Sequence, residues 1–582
     1  LLLNSFFTNR CTSLDNPPVQ KVESGERMKN HDIDFDQLGV RIQELLYRYV
    51  AVPSITNTQA ERGVEDFFRA YIQEIPYFAQ HPDHWGLYPI QGDGLGRSVC
   101  WAMVRGSGDK TIVLVHHYDV VDIEDYKTLK SWAYAPEPLR EALMQHKDML
   151  PEEARQDLES GKFLFCRGGC DMEGGGSIQY ALLEAYSRLP DFQGNVIVLG
   201  VPDEENLSAG MRGADRLLAE LQDRYGLRYL MMINSEPHQR KDFSRGVFSG
   251  GTVGKMMPFI YVRGFLSHAG KVFEGLNPAS VLAEIVTRTE VNMEFSDTVQ
   301  GEAAPPPMWL YMKDSKDRYD VSMPLTAQEC FSVLTLKQTP GELMERVKRI
   351  CEESFAAVID RLNASYAEFR KRTGRPVERL PWKEKVVTFG ELYQEACASG
   401  GEAFAAAFAA EQKQLRQELE QGRIYMIEAN FRLIDRIYDY IEDISPRIVY
   451  GLMPPYYPNV LNCYFADMAP EAQDMSGKLN CYTKERYGQE YDREYFYTGI
   501  CDLSYINIED PEEQRKRISQ SMPLFGWYYD IPFEEIKKIS MAGINIGPWG
   551  KDFHKLTERV LMEDLYDRTP HILDHAITIL LG

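Results

Sequence analysis

Three short apolar runs, each followed within three residues by an acidic or imidazole side chain, organise the first part of the chain. They cover residues 111–115, 196–201 and 229–233. Their length and their content of valine, isoleucine and leucine predict buried strands. The segments between them carry apolar residues at helical spacing, so strands and helices alternate. Such alternation predicts an α/β fold, with a mostly parallel sheet and helices on both faces.

The pattern changes after Gly250 and Gly251. Strand-like stretches at 255–263, 309–312 and 331–336 alternate with helical segments, which predicts a separate α+β insertion. A later Ala-, Glu- and Gln-rich stretch has strong helix propensity. The predicted division is a disordered extension over 1–30, the first part of the main domain over 31–252, the insertion over 253–390, a long helical segment over 391–445, and the second part of the main domain over 446–582.

The composition of the chain excludes some classes of binding partner. The formal net charge of -23 argues against nucleic acid, because phosphate binding needs clustered Lys and Arg. No apolar run approaches the roughly 20 residues that span a bilayer, so no membrane partner is expected. The first residues are too short and lack the basic start of a secretory signal. The ten cysteines are scattered without a compact framework, which favours a reducing, cytoplasmic compartment.

The polar residues that follow the apolar runs carry the candidate chemistry. The first run ends in His116-His117-Tyr118-Asp119, the second leads to Glu204-Glu205, and the third leads to Glu236. The carboxyl ends of strands are where open α/β sheets place their ligands. A further acid, Asp171, lies in a glycine-rich loop. Any one run could be a solvated acidic loop, but a convergence of imidazole and carboxylate groups is typical of a transition-metal site.

These motifs resemble, in kind and in order, those of the co-catalytic di-zinc exopeptidase and amidohydrolase family. That family includes glutamate carboxypeptidase, aminoacylase, acetylornithine deacetylase and succinyl-diaminopimelate desuccinylase. The resemblance covers residues 35–582 apart from an enlarged insertion. The long insertion and the Pro-Pro-Tyr-Tyr-Pro segment at 454–458 are most similar to the arginine-utilisation branch. The resemblance implies a zinc-exopeptidase-like catalytic domain whose insertion is a lid that also mediates dimerisation.

The resemblance also implies a role for each motif residue. Glu204 would be the general base that activates a metal-bridging water, Asp119 would orient His117, and Asp171 would bridge two ions. His268, in the lid, would help to hold the oxyanion, in family dimers often from the partner subunit. The implied metal ligands are His117, Asp171, Glu205, Glu236 and His554.

The implied function is hydrolysis of an amide bond in an N-acyl amino acid or a small peptide, as a deacylase or metallopeptidase of arginine or ornithine metabolism. The implied cofactors are two divalent metal ions, with Zn²⁺ as the default and Mn²⁺ or Co²⁺ as alternatives. The expected partners are the small-molecule substrate and a second copy of the chain. Two alternatives stay open: a single-metal hydrolase, and a catalytically silent relative that binds metal or an amino acid.

One departure from the family bears on the substrate. The lid arginine that binds the substrate carboxylate in many members has no clear counterpart in this sequence. Lys337 lies in about the right region, but its surroundings match poorly. A free α-carboxylate on the substrate is therefore not implied by the motifs.

Overall fold

The computed structural model describes residues 33–240 and 242–582, so the predicted extension over 1–30 lies outside the described residues. The described residues form twenty strands: β1 Trp85–Pro89, β2 Ser98–Arg105, β3 Ser107–His117, β4 Phe163–Phe165, β5 Gln193–Val201, β6 Arg228–Asn234, β7 Arg245–Ser249, β8 Gly251–Thr252, β9 Gly254–Arg263, β10 Thr298–Val299, β11 Glu302–Ala303, β12 Met308–Asp314, β13 Thr326–Thr335, β14 Val386–Thr388, β15 Arg447–Tyr457, β16 Val460–Leu461, β17 Glu490–Glu494, β18 Ala542–Asn545, β19 Gly550–Lys551 and β20 Arg559–Leu561.

The same residues form fifteen α-helices: α1 Phe35–Tyr49, α2 Gly63–Gln73, α3 Pro76–Gln80, α4 Pro136–Gln145, α5 Glu152–Ser160, α6 Glu173–Tyr186, α7 Ala209–Tyr225, α8 Pro278–Thr289, α9 Pro340–Arg372, α10 Phe389–Glu420, α11 Met426–Tyr438, α12 Met475–Tyr487, α13 Pro511–Ser521, α14 Phe533–Ile539 and α15 Thr569–Leu581. Among these described helices, none is long and apolar enough to cross a membrane.

The first sheet has eight strands in the order β1-β2-β5-β3-β6-β18-β7-β17. Its central strands β5, β3, β6 and β18 run parallel to one another. Alternate residues of these strands pack in two hydrophobic cores, one on each face of the sheet. Ile112 and Leu114 pack with α1, α6 and α15 on one face, whereas Val113 and Val115 pack with α7 on the other. Strands buried on both faces read as continuous apolar runs, and the predicted α/β fold is confirmed.

The second sheet belongs to the insertion and has the order β12-β13-β9-β15-β14. Helices α8 and α9 cover one face, and α10 and α11 cover the other. The predicted helical segment is thus two helices, and α10 itself bends at Gly401, where φ is +52°. Strand β15 pairs with β9, so Arg447–Tyr457 lies in this second sheet. The partner of β15 lies almost 200 residues earlier, so this pairing leaves no local signal in the sequence. The predicted division of the chain at 446 stays a prediction.

Candidate active site

Five loops bring the candidate residues to one edge of the first sheet. His117 ends β3, Glu204 and Glu205 follow β5, and Glu236 follows β6. These three strands are parallel neighbours, so their carboxyl ends meet at the same edge. The loop before α6 adds Asp171, and the loop between β19 and β20 adds His554.

Asp171 lies between the two imidazoles. Its Oδ1 is 3.1 Å from Nε2 of His117, and its Oδ2 is 3.2 Å from Nε2 of His554. Each imidazole also meets a glutamate: His117 Nε2 is 3.3 Å from Glu236 Oε1, and His554 Nε2 is 2.8 Å from Glu205 Oε1. The result is two donor sets that share one carboxylate.

The donor atoms suit divalent metal ions. Within each of three groups they all lie within 4.8 Å of one another. Tetrahedral ligands at about 2.0–2.2 Å from a zinc ion are spaced by about 3.3–3.6 Å from each other, close to the separations around Asp171. The groups are His117, Asp171 and Glu236; Asp171, Glu205 and His554; and His117, Glu204 and Glu205.

The charges of this cluster also suit a cation. Burial alone would lower the pKa of His117, but the carboxylates of Glu236 and Asp171 raise it well above its usual range. Hydrogen bonds with Asp171 and Glu205 raise the pKa of His554 to about 10. Surplus negative charge therefore favours the cationic form of both imidazoles. A bound divalent ion would supply that positive charge instead of the two protons.

Asp119 contacts two parts of the site, one through its backbone carbonyl and the other through its carboxylate. Its backbone carbonyl lies 2.9 Å from Nδ1 of His117 and so orients the imidazole. Its buried carboxylate is 3.7 Å from that nitrogen and instead accepts the backbone N–H of Glu204 at 3.0 Å and of Glu205 at 3.1 Å. The carboxylate thus positions the two-glutamate loop, and the contact that orients His117 comes from the main chain.

The neighbouring histidine, His116, faces away from the cluster. Its imidazole contacts Tyr49 Oη at 3.1 Å and Gln179 Oε1 at 2.9 Å in the core.

His268 lies in an exposed loop of the insertion, where its Nδ1 accepts the N–H of Gly270. Among the described residues, no hydrogen bond or ion pair joins His268 to the cluster. Its oxyanion role stays a prediction.

Sequence reasoning missed three residues that lie beside the cluster. Asp502, in a short 3₁₀ helix at 502–505, is buried, and burial raises its pKa to about 7. Its carboxylate oxygens have no hydrogen-bond partner in the described part of the chain. The negative charges of Glu236, Asp171 and Glu204 act on the phenol of Tyr497. Lys255 is the third. None of the three lies in a recognisable motif, so only the fold reveals them.

Two buried ion-pair clusters fix the ligand-bearing loops. Arg97 Nη1 lies 2.8 Å from both Glu61 and Asp203, and the backbone N–H of Asp203 donates to Glu61 at 3.0 Å. Asp203 directly precedes Glu204 and has φ +71°, an uncommon conformation that these contacts maintain.

The second cluster pairs Arg167 with Glu558, both 1% exposed or less. Glu558 also accepts the backbone N–H groups of Cys170 and Asp171 at 3.4 Å. It lies four residues after His554, so it connects the two loops that carry the bridging carboxylate and the last imidazole.

Glu558→Gln should lower the free energy of unfolding by about 3 kcal/mol, the low end for a broken buried ion pair, because the buried Arg167 charge keeps only its 3.4 Å contact with Asp125. Urea unfolding at pH 8 measures the change. Glu159→Gln, which breaks an exposed pair with Lys147, is the matched control and should have little effect. Equal stability of the two variants would show that the buried pair adds nothing.

The fold and this cluster together define a metal-dependent hydrolase of the peptidase class. The chain belongs to peptidase family M20/M25/M40, whose model matches residues 142–455. The family predicted from the motifs is thereby confirmed. The chain is 31% identical to the uncharacterized protein YqjN of Bacillus subtilis strain 168 over 546 residues, which cover 92% of this chain and 96% of that protein. It is 27% identical to protein RocB of the same strain over 554 residues, which cover 93% and 95%.

Two solved structures have a fold similar to that of this chain. Aminopeptidase PepT from Bacillus cereus matches with a TM-score of 0.50 at 12% identity, over 94% of this chain and 99% of that one. The M20 family metallo-carboxypeptidase Sso-CP2 from Sulfolobus solfataricus matches with a TM-score of 0.51 at 11% identity, over 93% and 99%. At these identities the likeness extends to the fold alone.

Proposed function

We propose that this protein is a two-metal amidohydrolase that cleaves an N-acyl amino acid or a small peptide. The observation that carries the proposal is the position of Asp171, whose two oxygens face two separate imidazoles. One ion would be held by His117, Asp171 and Glu236, and the other by Asp171, Glu205 and His554. Zn²⁺ is the metal that this donor set favours, with Mn²⁺ and Co²⁺ as alternatives.

Several residues of the chain have separate roles in the proposed amide hydrolysis. Two bound ions would polarise the substrate carbonyl and lower the pKa of the attacking water. Glu204 takes the proton of that water and later gives it to the leaving amine. Asp119 holds Glu204 in place through the backbone N–H of the loop. His268, from a partner subunit, would donate to the developing oxyanion.

The biological setting is part of the proposal. The segment at 454–458 and the long insertion resemble the arginine-utilisation branch of the family, which supports a substrate of arginine or ornithine metabolism. Nine cysteines in the described residues are free, which suits a reducing cytoplasm. A homodimer through the insertion would bring His268 toward a neighbouring site.

A substrate screen tests the proposal. The purified protein, supplied in turn with Zn²⁺, Mn²⁺ and Co²⁺, is assayed against a panel of N-acetyl and N-succinyl amino acids and dipeptides. We expect at least one to be hydrolysed, with activity lost on chelation and restored by the metal. Metal binding without hydrolysis of any panel member would instead indicate a catalytically silent relative.

A further inference from the structure

A cavity of about 390 Å³ lies beside the loop that carries Glu204, and none of the proposed metal ligands lines it. One wall is formed by the turn at 90–97, the loop at 203–207 and the start of α7. The end of α10 forms the facing wall, and the segment at 526–530 completes the lining. A Cβ on Gly94 would lie 3.0 Å from Cγ of Glu420, so the two walls meet at the rim. The volume is in the range of small-molecule sites.

Arg212 lines this cavity and has no carboxylate partner. Its guanidinium donates to the backbone carbonyls of Asp530 at 2.6 Å and Leu207 at 3.3 Å, and it lies 4.3 Å from the centre of the Tyr529 ring. Within the described residues it forms no ion pair, and its buried Nε–H has no hydrogen-bond partner. The fully buried arginines of the described chain, by contrast, all pair with acids: Arg97, Arg167, Arg447 and Arg559. A guanidinium withdrawn from water without a counter-ion is costly, so Arg212 favours an anionic ligand.

Tyr528 adds a hydroxyl to the same cavity. The charges of Asp203, Arg212, Glu420 and Arg416 act on its phenol, and all four residues line the cavity with it. In the part of the chain that the structure describes, the Tyr528 hydroxyl forms no hydrogen bond. A phenolic O–H can donate to a carboxylate, and hydrogen bonds to an ionised acceptor are the strong ones. Tyr528 and Arg212 together therefore provide donors suited to a carboxylate.

The acids of the cavity differ in how closely they are paired. Three of them form ion pairs of 2.7–2.8 Å with arginines: Asp93 and Asp203 with Arg97, and Asp530 with Arg216. Glu420 is 40% exposed and approaches Arg416 only to 3.9 Å, beyond hydrogen-bond distance. Its carboxylate is therefore available to an ammonium group. The two facing walls thus present a cation, Arg212, and an anion, Glu420, that are each weakly compensated.

We propose that this cavity binds a free α-amino acid, whose carboxylate contacts Arg212 and Tyr528 and whose ammonium contacts Glu420. A ligand that carries both charges suits a cavity that presents both, whereas a simple anion would be repelled by Glu420 and a simple cation by Arg212. The bound amino acid would span the two walls and so hold α10 against the loop that leads to Glu204. The site is separate from the proposed active site, and the proposal does not depend on hydrolysis.

Calorimetry on the zinc-loaded protein tests the proposal with L-alanine, L-glutamate and L-arginine, whose side chains are neutral, acidic and basic. We expect at least one to bind, and its amide and N-acetyl derivatives to bind more weakly, because each lacks one of the two charges. Arg212→Met should raise Kd by about 10- to 100-fold, the range for a hydrogen bond to a charged group. Tyr528→Phe and Glu420→Gln, which keep the shape of the side chain, should raise it by about 3- to 10-fold. Arg349→Met, which breaks an exposed pair with Glu294, is the control and should bind as wild type.

Asp171→Ala separates this cavity from the active site. Amino-acid binding should persist in that variant, because no proposed metal ligand lines the cavity. Binding that is lost in Asp171→Ala but unchanged in Tyr528→Phe and Glu420→Gln would place the ligand at the metals and overturn the proposal. No binding of any of the three amino acids by the wild type at millimolar concentration would overturn it as well. Failure to hydrolyse any substrate would count against the proposed function alone, since this measurement needs no turnover.

Discussion

Replacement of Glu204 by glutamine should lower kcat by about 10²- to 10⁴-fold, the range that general acid–base catalysis contributes, while the metal content stays that of the wild type. Glutamine keeps the size and a carbonyl oxygen but cannot take up a proton at neutral pH. The proposed ligand sets do not need Glu204, because His117, Asp171 and Glu236 form one and Asp171, Glu205 and His554 form the other. Steady-state kinetics on the substrate from the screen, with elemental analysis of the same sample, measures both quantities.

Glu205→Gln is the matched control, since the two glutamates are adjacent and the backbone N–H of each donates to the Asp119 carboxylate. It should lose affinity at one metal site, and its activity should recover in part at high metal concentration. If Glu204→Gln also lost metal, Glu204 would be a ligand, in line with its place in the third donor group beside His117 and Glu205. If it lost neither metal nor activity, the proton would be carried by another group.

The sequence was enough to predict the α/β fold, because buried parallel strands leave continuous apolar runs and each of these ends in its own polar signal. The same logic predicted that His117, Glu204, Glu205 and Glu236 lie at one edge of the sheet, whereas Asp171 was predicted from its glycine-rich loop. His554 came from the family resemblance, since it follows no apolar run of that kind.

What the sequence did not reveal depends on contacts between distant segments. Strand β15 joins β9 across almost 200 residues, so its sheet could not be assigned from local pattern. The pairing of Arg167 with Glu558 spans 391 residues. Lys255 lies in a strand whose sequence has no motif, and only the fold brings that strand near the loop of Glu204. Main-chain contacts, such as the carbonyl of Asp119 on His117, carry no side-chain signature at all.

Replacement of Asp171 by alanine should remove both metal ions. Wild-type protein supplied with Zn²⁺ at neutral pH should hold about two ions per chain, as expected for a shared two-metal site. The two Asp171 oxygens face different imidazoles, so a single truncation withdraws one ligand from each set and the negative charge between them. Elemental analysis after gel filtration measures the stoichiometry, and circular dichroism checks that the variant is folded.

Glu236→Gln provides the comparison, because in the described part of the chain Glu236 forms an ion pair with His117 and none with His554. It should lose about one ion and keep the ion held by Glu205 and His554. The two variants together separate a bridging role from a general loss of negative charge, since each removes one carboxylate. If Asp171→Ala kept one ion at wild-type affinity, Asp171 would serve a single site and the enzyme would be a one-metal hydrolase. If the wild type bound no ion at all, the proposed two-metal hydrolysis would be wrong.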